Sequence, residues 1–135
     1  MTHERNTIRR RSQIRVDRSE TAAVEAIVRD YIDAWHAGDP QRMERSLHDD
    51  LVKRTLSTDT DPSEGLSPVT KTQMVQFTRD GGGRSPDAVA EVVVHHVEAD
   101  IASAQVATAE YLDYLHLAKM GGTWRIVHDL FRQRN

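Results

Sequence analysis

The side chains best placed to do chemistry lie near the C-terminus. If the chain folds back at Gly121 and Gly122, strand alternation puts Asp113, Leu115, Leu117, Trp124, Ile126, His128 and Leu130 on one face. A register slip of two residues leaves that facing unchanged. Aliphatic side chains and a tryptophan mark the face as inward, so Asp113 and His128 would be direct or diagonal cross-strand neighbours in an apolar wall. A carboxylate that orients an imidazole in dry surroundings can set up proton transfer, because burial and the partner charge shift both pKa values. The same pair could equally be a structural hydrogen bond between two partly buried polar groups, with Asp113 at an open rim.

Other candidates surround this pair. Arg54 lies between Val52 and Leu56 on the apolar side of a predicted first strand. There it needs an anion, either an acidic ligand held by the guanidinium fork or Asp113. Tyr31 and Trp35 belong to the apolar stripe of a helix, where their rings serve the core or the wall of a cavity. Tyr111 joins them as a cavity-lining residue. His36 and His48 each stand at a helix end and are read as C-terminal caps. Adjacent His95 and His96 point to opposite faces and cannot share one metal. The sequence has no HExxH, no acidic calcium loop, no phosphate-binding Gly-rich loop and no Gly-x-Ser-x-Gly elbow, so it motivates no metal and no nucleotide cofactor.

These residues need elements to hold them. Val24, Ile27, Val28, Tyr31, Ile32 and Trp35 recur at helical spacing over Thr21 to Ala37. Gly38 then supplies a left-handed end, and Asp39-Pro40 starts a second, short helix to about Leu47. Leu51 to Ser57 alternates like a strand, and Asp59 to Pro68 reads as a loop. Thr70 and Gln73 fit a capping box for a third helix through Met74, Val75 and Phe77, which ends at Gly81-Gly82-Gly83. After Pro86 the pattern becomes β throughout: a strand over Val92 to Val97, a turn at Ala99-Asp100, and a long stretch from Ser103 to Lys119. Its apolar parity changes midway, which a bulge or bend near Ala109 to Leu112 would accommodate. Trp124 to Arg132 is the last strand. Helices followed by antiparallel strands form an α+β domain in which helices cover one face of a bent sheet.

Composition sets outer bounds. At 135 residues the chain has room for one core. It contains no cysteine, which excludes disulfides, thiolate metal sites and thiol catalysis, and is compatible with a cytoplasmic setting. Residues 1–19 carry six arginines against Glu4 and Asp17, a charge of +4 within a chain of formal net charge -3, so the body carries -7. No apolar run follows Arg9-Arg10-Arg11, which argues against export, and the acidic body offers no basic stripe or aromatic platform for nucleic acid. The segment is read as a flexible basic tail preceding one pocket domain over residues 20–135. No stretch is long and apolar enough for a membrane span.

Two stretches resemble a known family. YIDAWHAGDPQRMERSLHDDLVKR (Tyr31 to Arg54) and DYLHLAKMGGTWRIVHDLF (Asp113 to Phe131) look like the putative lumazine-binding family of the nuclear transport factor 2-like superfamily. The likeness covers roughly Thr21 to Arg132. It implies a cone-shaped half-barrel, a curved antiparallel sheet packed on N-terminal helices around a cavity, and often a homodimer joined through the sheet. Superfamily members include ketosteroid isomerases, dehydratases and polyketide cyclases beside proteins that only bind or assemble. The expected function is therefore binding of a small, largely apolar organic molecule, with metal-free acid–base chemistry by Asp113 and His128. The alternative is a non-enzymatic ligand-binding or dimeric assembly module. The expected dimer face carries Leu112, Tyr114, His116, Val127 and Phe131.

Overall fold

The computed structural model describes residues 2–56 and 65–134, with side chains from residue 18 onward in the first segment. Nine elements follow in order: α1 (Thr2–Ala37), α2 (Pro40–Ser46), β1 (Leu47–Leu56), β2 (Leu66–Val69), α3 (Lys71–Arg79), β3 (Glu91–Glu98), β4 (Ile101–Ala107), β5 (Tyr111–Met120) and β6 (Thr123–Gln133). The strands form one curved, unclosed sheet in the order β2-β1-β6-β5-β4-β3. Helix α1 lies over its inner face. None of the described helices is long and apolar enough to cross a membrane.

Helix α1 takes in the basic N-terminal segment that the sequence suggested was a tail. Its apolar stripe packs as the spacing predicts: Val24, Val28, Tyr31 and Ile32 are buried against Val97, Ala104, Val106, Leu115, Leu117, Trp124 and Ile126 of the sheet. Its middle is tied down by Glu20, whose carboxylate accepts from Lys119 Nζ (2.8 Å) and Trp124 Nε1 (2.7 Å) on the β5–β6 hairpin. Gly38 ends the helix at φ 69°. Asp39 then caps α2, accepting from the backbone of Arg42 at 3.2 Å with Pro40 in the first turn. Thr70 and Gln73 form the expected reciprocal capping box of α3.

The sheet departs from the sequence reading at four places that matter for the site. The stretch Ser103 to Lys119 belongs to two antiparallel strands, reversed at Thr108–Glu110. Thr108 makes the turn by accepting from the backbone N–H groups of Glu110 (3.3 Å) and Tyr111 (3.0 Å) through its hydroxyl. The midway parity change is therefore a chain reversal, with no bulge in one strand. Leu66 to Pro68, expected in a loop, pair with β1 as an edge strand, where Pro68 opposite Arg54 needs no ladder donor. The rest of that loop lies largely outside the described residues. Strand β1 pairs with β6 in parallel, the sole parallel pair of the described sheet. Finally, β6 bulges at Val127: His116 is opposite His128 while Leu117 is opposite Ile126.

That one extra residue changes the facing of everything after it. Val127 and His128 both line a groove on the outer face, and Asp129 and Phe131 turn inward. Leu112, Tyr114 and His116 face outward as expected, whereas Phe131 does not. Strand β1 shows the same parity correction. Leu51 and Lys53 are buried, and Val52 and Leu56 are each 43% exposed, so Arg54 points outward with them.

Replacing the α3 cap tests the local part of this account. Thr70→Ala removes a hydroxyl that satisfies an otherwise free helix N–H, and should cost about 1 kcal/mol in chemical denaturation. An unchanged midpoint would mean that the capping box contributes nothing.

Candidate functional site

The inner face of β1, β6 and β5 carries three ionisable side chains in an otherwise apolar wall. Register explains how they meet. Lys53 is the direct partner of Asp129 across the parallel β1–β6 pair, and Asp113 sits diagonally from Asp129 across β5–β6. Tyr31 descends on them from the buried stripe of α1. Lys53 Nζ lies 2.6 Å from Asp129 Oδ2, 3.4 Å from Asp113 Oδ2 and 2.8 Å from Tyr31 Oη. The tyrosine hydroxyl is 3.0 Å from Asp113 Oδ2 and 3.2 Å from Asp129 Oδ2. Phe131 places its ring centroid 4.1 Å from the ammonium, a cation–π contact beneath it. All four polar residues are buried, with Lys53 4% and Asp129 2% exposed.

Burial sets the protonation pattern. It pushes the Lys53 ammonium down, but the charges of Asp129 and Asp113 more than reverse this and raise its pKa above the ordinary value of 10.5. Burial raises Tyr31 well above its usual range, and both carboxylates add to it, so the phenol stays protonated and donates. Asp129 is also raised well above a normal carboxyl, first by burial and then by the Asp113 charge and hydrogen bond, against the opposing pull of Lys53. Its Oδ1 is buried without a partner, which further disfavours charge there. Lys53 thus stays an ammonium, and burial favours a proton on Asp129.

Asp113 and Lys53 face a cavity of about 200 Å³. Tyr31, Trp35 and Tyr111, the residues proposed from the sequence as ligand-binding, lie on its lining together with Ile32, Val69, Met74, Phe77 and Phe131. The room for Trp35 comes from the glycine run after α3. A Cβ on Gly83 would fall 2.0 Å from the indole, so the ring lies flat on backbone that no side chain may cover. Trp35 and Tyr111 also border an outer recess of about 410 Å³ that contains His36, Arg84, Asp87 and Glu110.

Two expected residues are elsewhere. The Asp113–His128 pair does not form, because the Val127 bulge puts His128 on the opposite face, where its Nδ1 is 3.1 Å from His116 Nδ1. Arg54 is exposed on the outside of β1 and lines no part of this cavity. The buried partners of Asp113 are instead Lys53 and Asp129, one position along from Arg54 and His128 respectively. Lys53 shares the parity of buried Leu51, but Val52 and Leu56 hold the other parity and Asp129 turns inward only through the bulge, so alternation alone singles out neither. Among the described residues, no group of three or more histidine or acidic side chains is arranged to hold a metal ion.

Removing the cation gives a direct check. Lys53→Met should cost about 3–5 kcal/mol at neutral pH, because it leaves buried carboxyl groups uncompensated. The raised Lys53 pKa contributes stability that is fully present below pH 10.5 and lost as pH rises through the folded-state value. Lys53→Met should therefore also remove that alkaline loss, measured as unfolding free energy against pH. A variant as stable as wild type across the range would contradict the assignment.

The described family resemblance is matched by comparison. A family model described as putative lumazine-binding covers residues 19–132. A nuclear transport factor 2-like protein of unknown function from Silicibacter pomeroyi superposes with a TM-score of 0.73 at 23% identity, over 86% of this chain and 97% of that one. A ketosteroid isomerase-like protein from Erwinia carotovora atroseptica gives 0.64 at 19% identity, over 86% and 97%. A protein described as a putative scytalone dehydratase from Novosphingobium aromaticivorans gives 0.65 at 10%, over 88% and 87%. No curated protein matches the chain. The structural likenesses show a shared fold, and the family match over nearly the whole domain establishes that this chain belongs to the putative lumazine-binding family, on a nuclear transport factor 2-like fold.

Proposed function

We propose that the protein binds a small, largely apolar organic molecule in the inner cavity and that Asp113 handles a proton there. The carrying observation is a carboxylate, braced by Lys53 and Tyr31, standing in an aromatic and aliphatic wall that has free volume beside it. At about 200 Å³ the cavity is below the roughly 300–1,000 Å³ of sites for drug-sized ligands, which suits a molecule of one or two rings. Trp35 and Tyr111 supply stacking surface and Asp113 the polar anchor. Isomerisation, dehydration and cyclisation are the reactions that a positioned carboxylate can assist by proton transfer alone. The isomerase-like and dehydratase-like names attached to structural neighbours fit that class of chemistry.

We also infer that two copies associate through the outer sheet face. Val52, Tyr114 and Leu130 are 43%, 53% and 48% exposed there, and Tyr114 and Leu130 are register partners. Sedimentation should give twice the chain mass, and Tyr114→Glu should return it to one. The cysteine-free composition accords with a reducing cytoplasm.

Binding is tested by protein NMR and native mass spectrometry with a set of one- and two-ring aromatic fragments. Hits should shift the Trp35 side-chain resonance, and Val69→Trp, which fills the cavity from the edge strand, should abolish them while the protein stays folded. Any hit that is turned over should lose about 10²–10⁴ in kcat in Asp113→Asn. Fragments that bind Val69→Trp as well as wild type would place the ligand elsewhere.

A further inference from the structure

The chemistry that the ligand must bring follows from counting protons at the cavity floor, and it rests on the ligand-binding reading above. A lysine ammonium has three protons and a phenol one. Lys53 directs its three at Tyr31 Oη, Asp129 Oδ2 and Asp113 Oδ2. Tyr31 directs its proton at the same two carboxyl oxygens. Asp129 is 2% exposed and lines no part of the cavity, so a proton on it is not offered there either. No donor of the cluster is thus left for the cavity.

Asp113 takes all of these bonds on Oδ2. Its Oδ1 has no hydrogen bond to any described residue, and it is not among the sealed-off atoms, as Asp129 Oδ1 is. The Lys53–Tyr31–Asp113 cluster therefore presents an acceptor and no donor to the cavity; Ile32, Val69, Met74, Phe77 and Phe131 are apolar, and the remaining lining residues, Trp35 and Tyr111, carry the other donors. We infer that the deep end of the ligand is a neutral hydrogen-bond donor, an N–H or O–H on a small aromatic or heteroaromatic ring. A carboxylate, phosphate or bare carbonyl oxygen placed there would meet a carboxylate oxygen with no donor to receive it. Such a floor can accept a proton from the ligand but has no oxyanion-stabilising donor to offer.

Three probes separate the possibilities: indole, which has a ring N–H, benzofuran, which has the same shape with an acceptor in its place, and benzoate. Wild-type protein titrated by calorimetry should bind indole about tenfold or more tightly than benzofuran, the worth of one hydrogen bond to a charged acceptor, and benzoate more weakly still. Asp113→Asn should invert the first preference. Lys53 and Tyr31 require an acceptor where Oδ2 stood, so the amide oxygen takes that place and its NH₂ faces the cavity. Equal binding of indole and benzofuran to wild type, benzoate binding as tightly as indole, or an unchanged order in a folded Asp113→Asn protein, would each overturn the inference while leaving the cavity a ligand site. Should that variant not fold, the wild-type ranking decides alone. If none of these probes and no aromatic fragment binds wild type, the ligand-binding reading itself fails and this inference with it.

Discussion

The buried ammonium of Lys53 is the constraint on which the rest of the inner face depends. A lysine 4% exposed is tolerable only if anionic or polar partners replace its hydration, and here Asp113, Asp129 and Tyr31 do so within 2.6–3.4 Å. Each partner arrives by a separate structural device. Parallel pairing of β1 with β6 places Lys53 opposite Asp129, the Val127 bulge turns Asp129 inward, and the helical stripe of α1 delivers Tyr31. Loss of any one leaves the others buried without compensation.

Such a cluster is a poor way to stabilise a core. Well-packed apolar residues of similar volume are commonly as stable as a buried ion network or more so. Its position at the floor of a cavity gives it a different sense. Lys53 and Tyr31 hold Asp113 through its Oδ2 while Asp113 borders the open volume, and burial disfavours a further charge on Asp129. The outer face of the same strands is built of other materials, with half-exposed Val52, Tyr114 and Leu130 beside the His116–His128 contact. One sheet thus separates an interior with a buried charged cluster from an exterior with half-exposed apolar side chains.

Much of this was legible in the sequence. Helical periodicity identified α1 and its stripe, and Asp39-Pro40 and Thr70-x-x-Gln73 marked two helix starts, because these signals act within a few residues. Asp113, Tyr31, Trp35 and Tyr111 all lie on the cavity lining, Asp113 by the strand alternation and Tyr31 and Trp35 by the helical stripe that the sequence shows. His128 and Arg54 do not. Simple alternation cannot register a bulge whose cause is pairing with distant strands, and one inserted residue exchanges His128 for Asp129 on the inner face. Likewise β1 shows apolar residues at both parities, Leu51 on one and Val52 and Leu56 on the other. Only the contact with β6 decides that Lys53, and not Arg54, goes in. The Thr108 turn was hidden because β4 and β5 are both β-prone and the reversal uses neither glycine nor proline.

The central claim is that burial keeps Asp129 protonated well above the ordinary carboxylate range beside the Lys53 ammonium. Titration of the side-chain carboxyl ¹³C resonances tests this most directly. The Asp129 resonance is expected to keep the protonated shift well past the ordinary carboxylate range, and to titrate at lower pH in Asp113→Asn, where the neighbouring charge is gone but the burial remains. An Asp129 resonance that titrates like an exposed aspartate, near its usual value of about 4, would contradict the account.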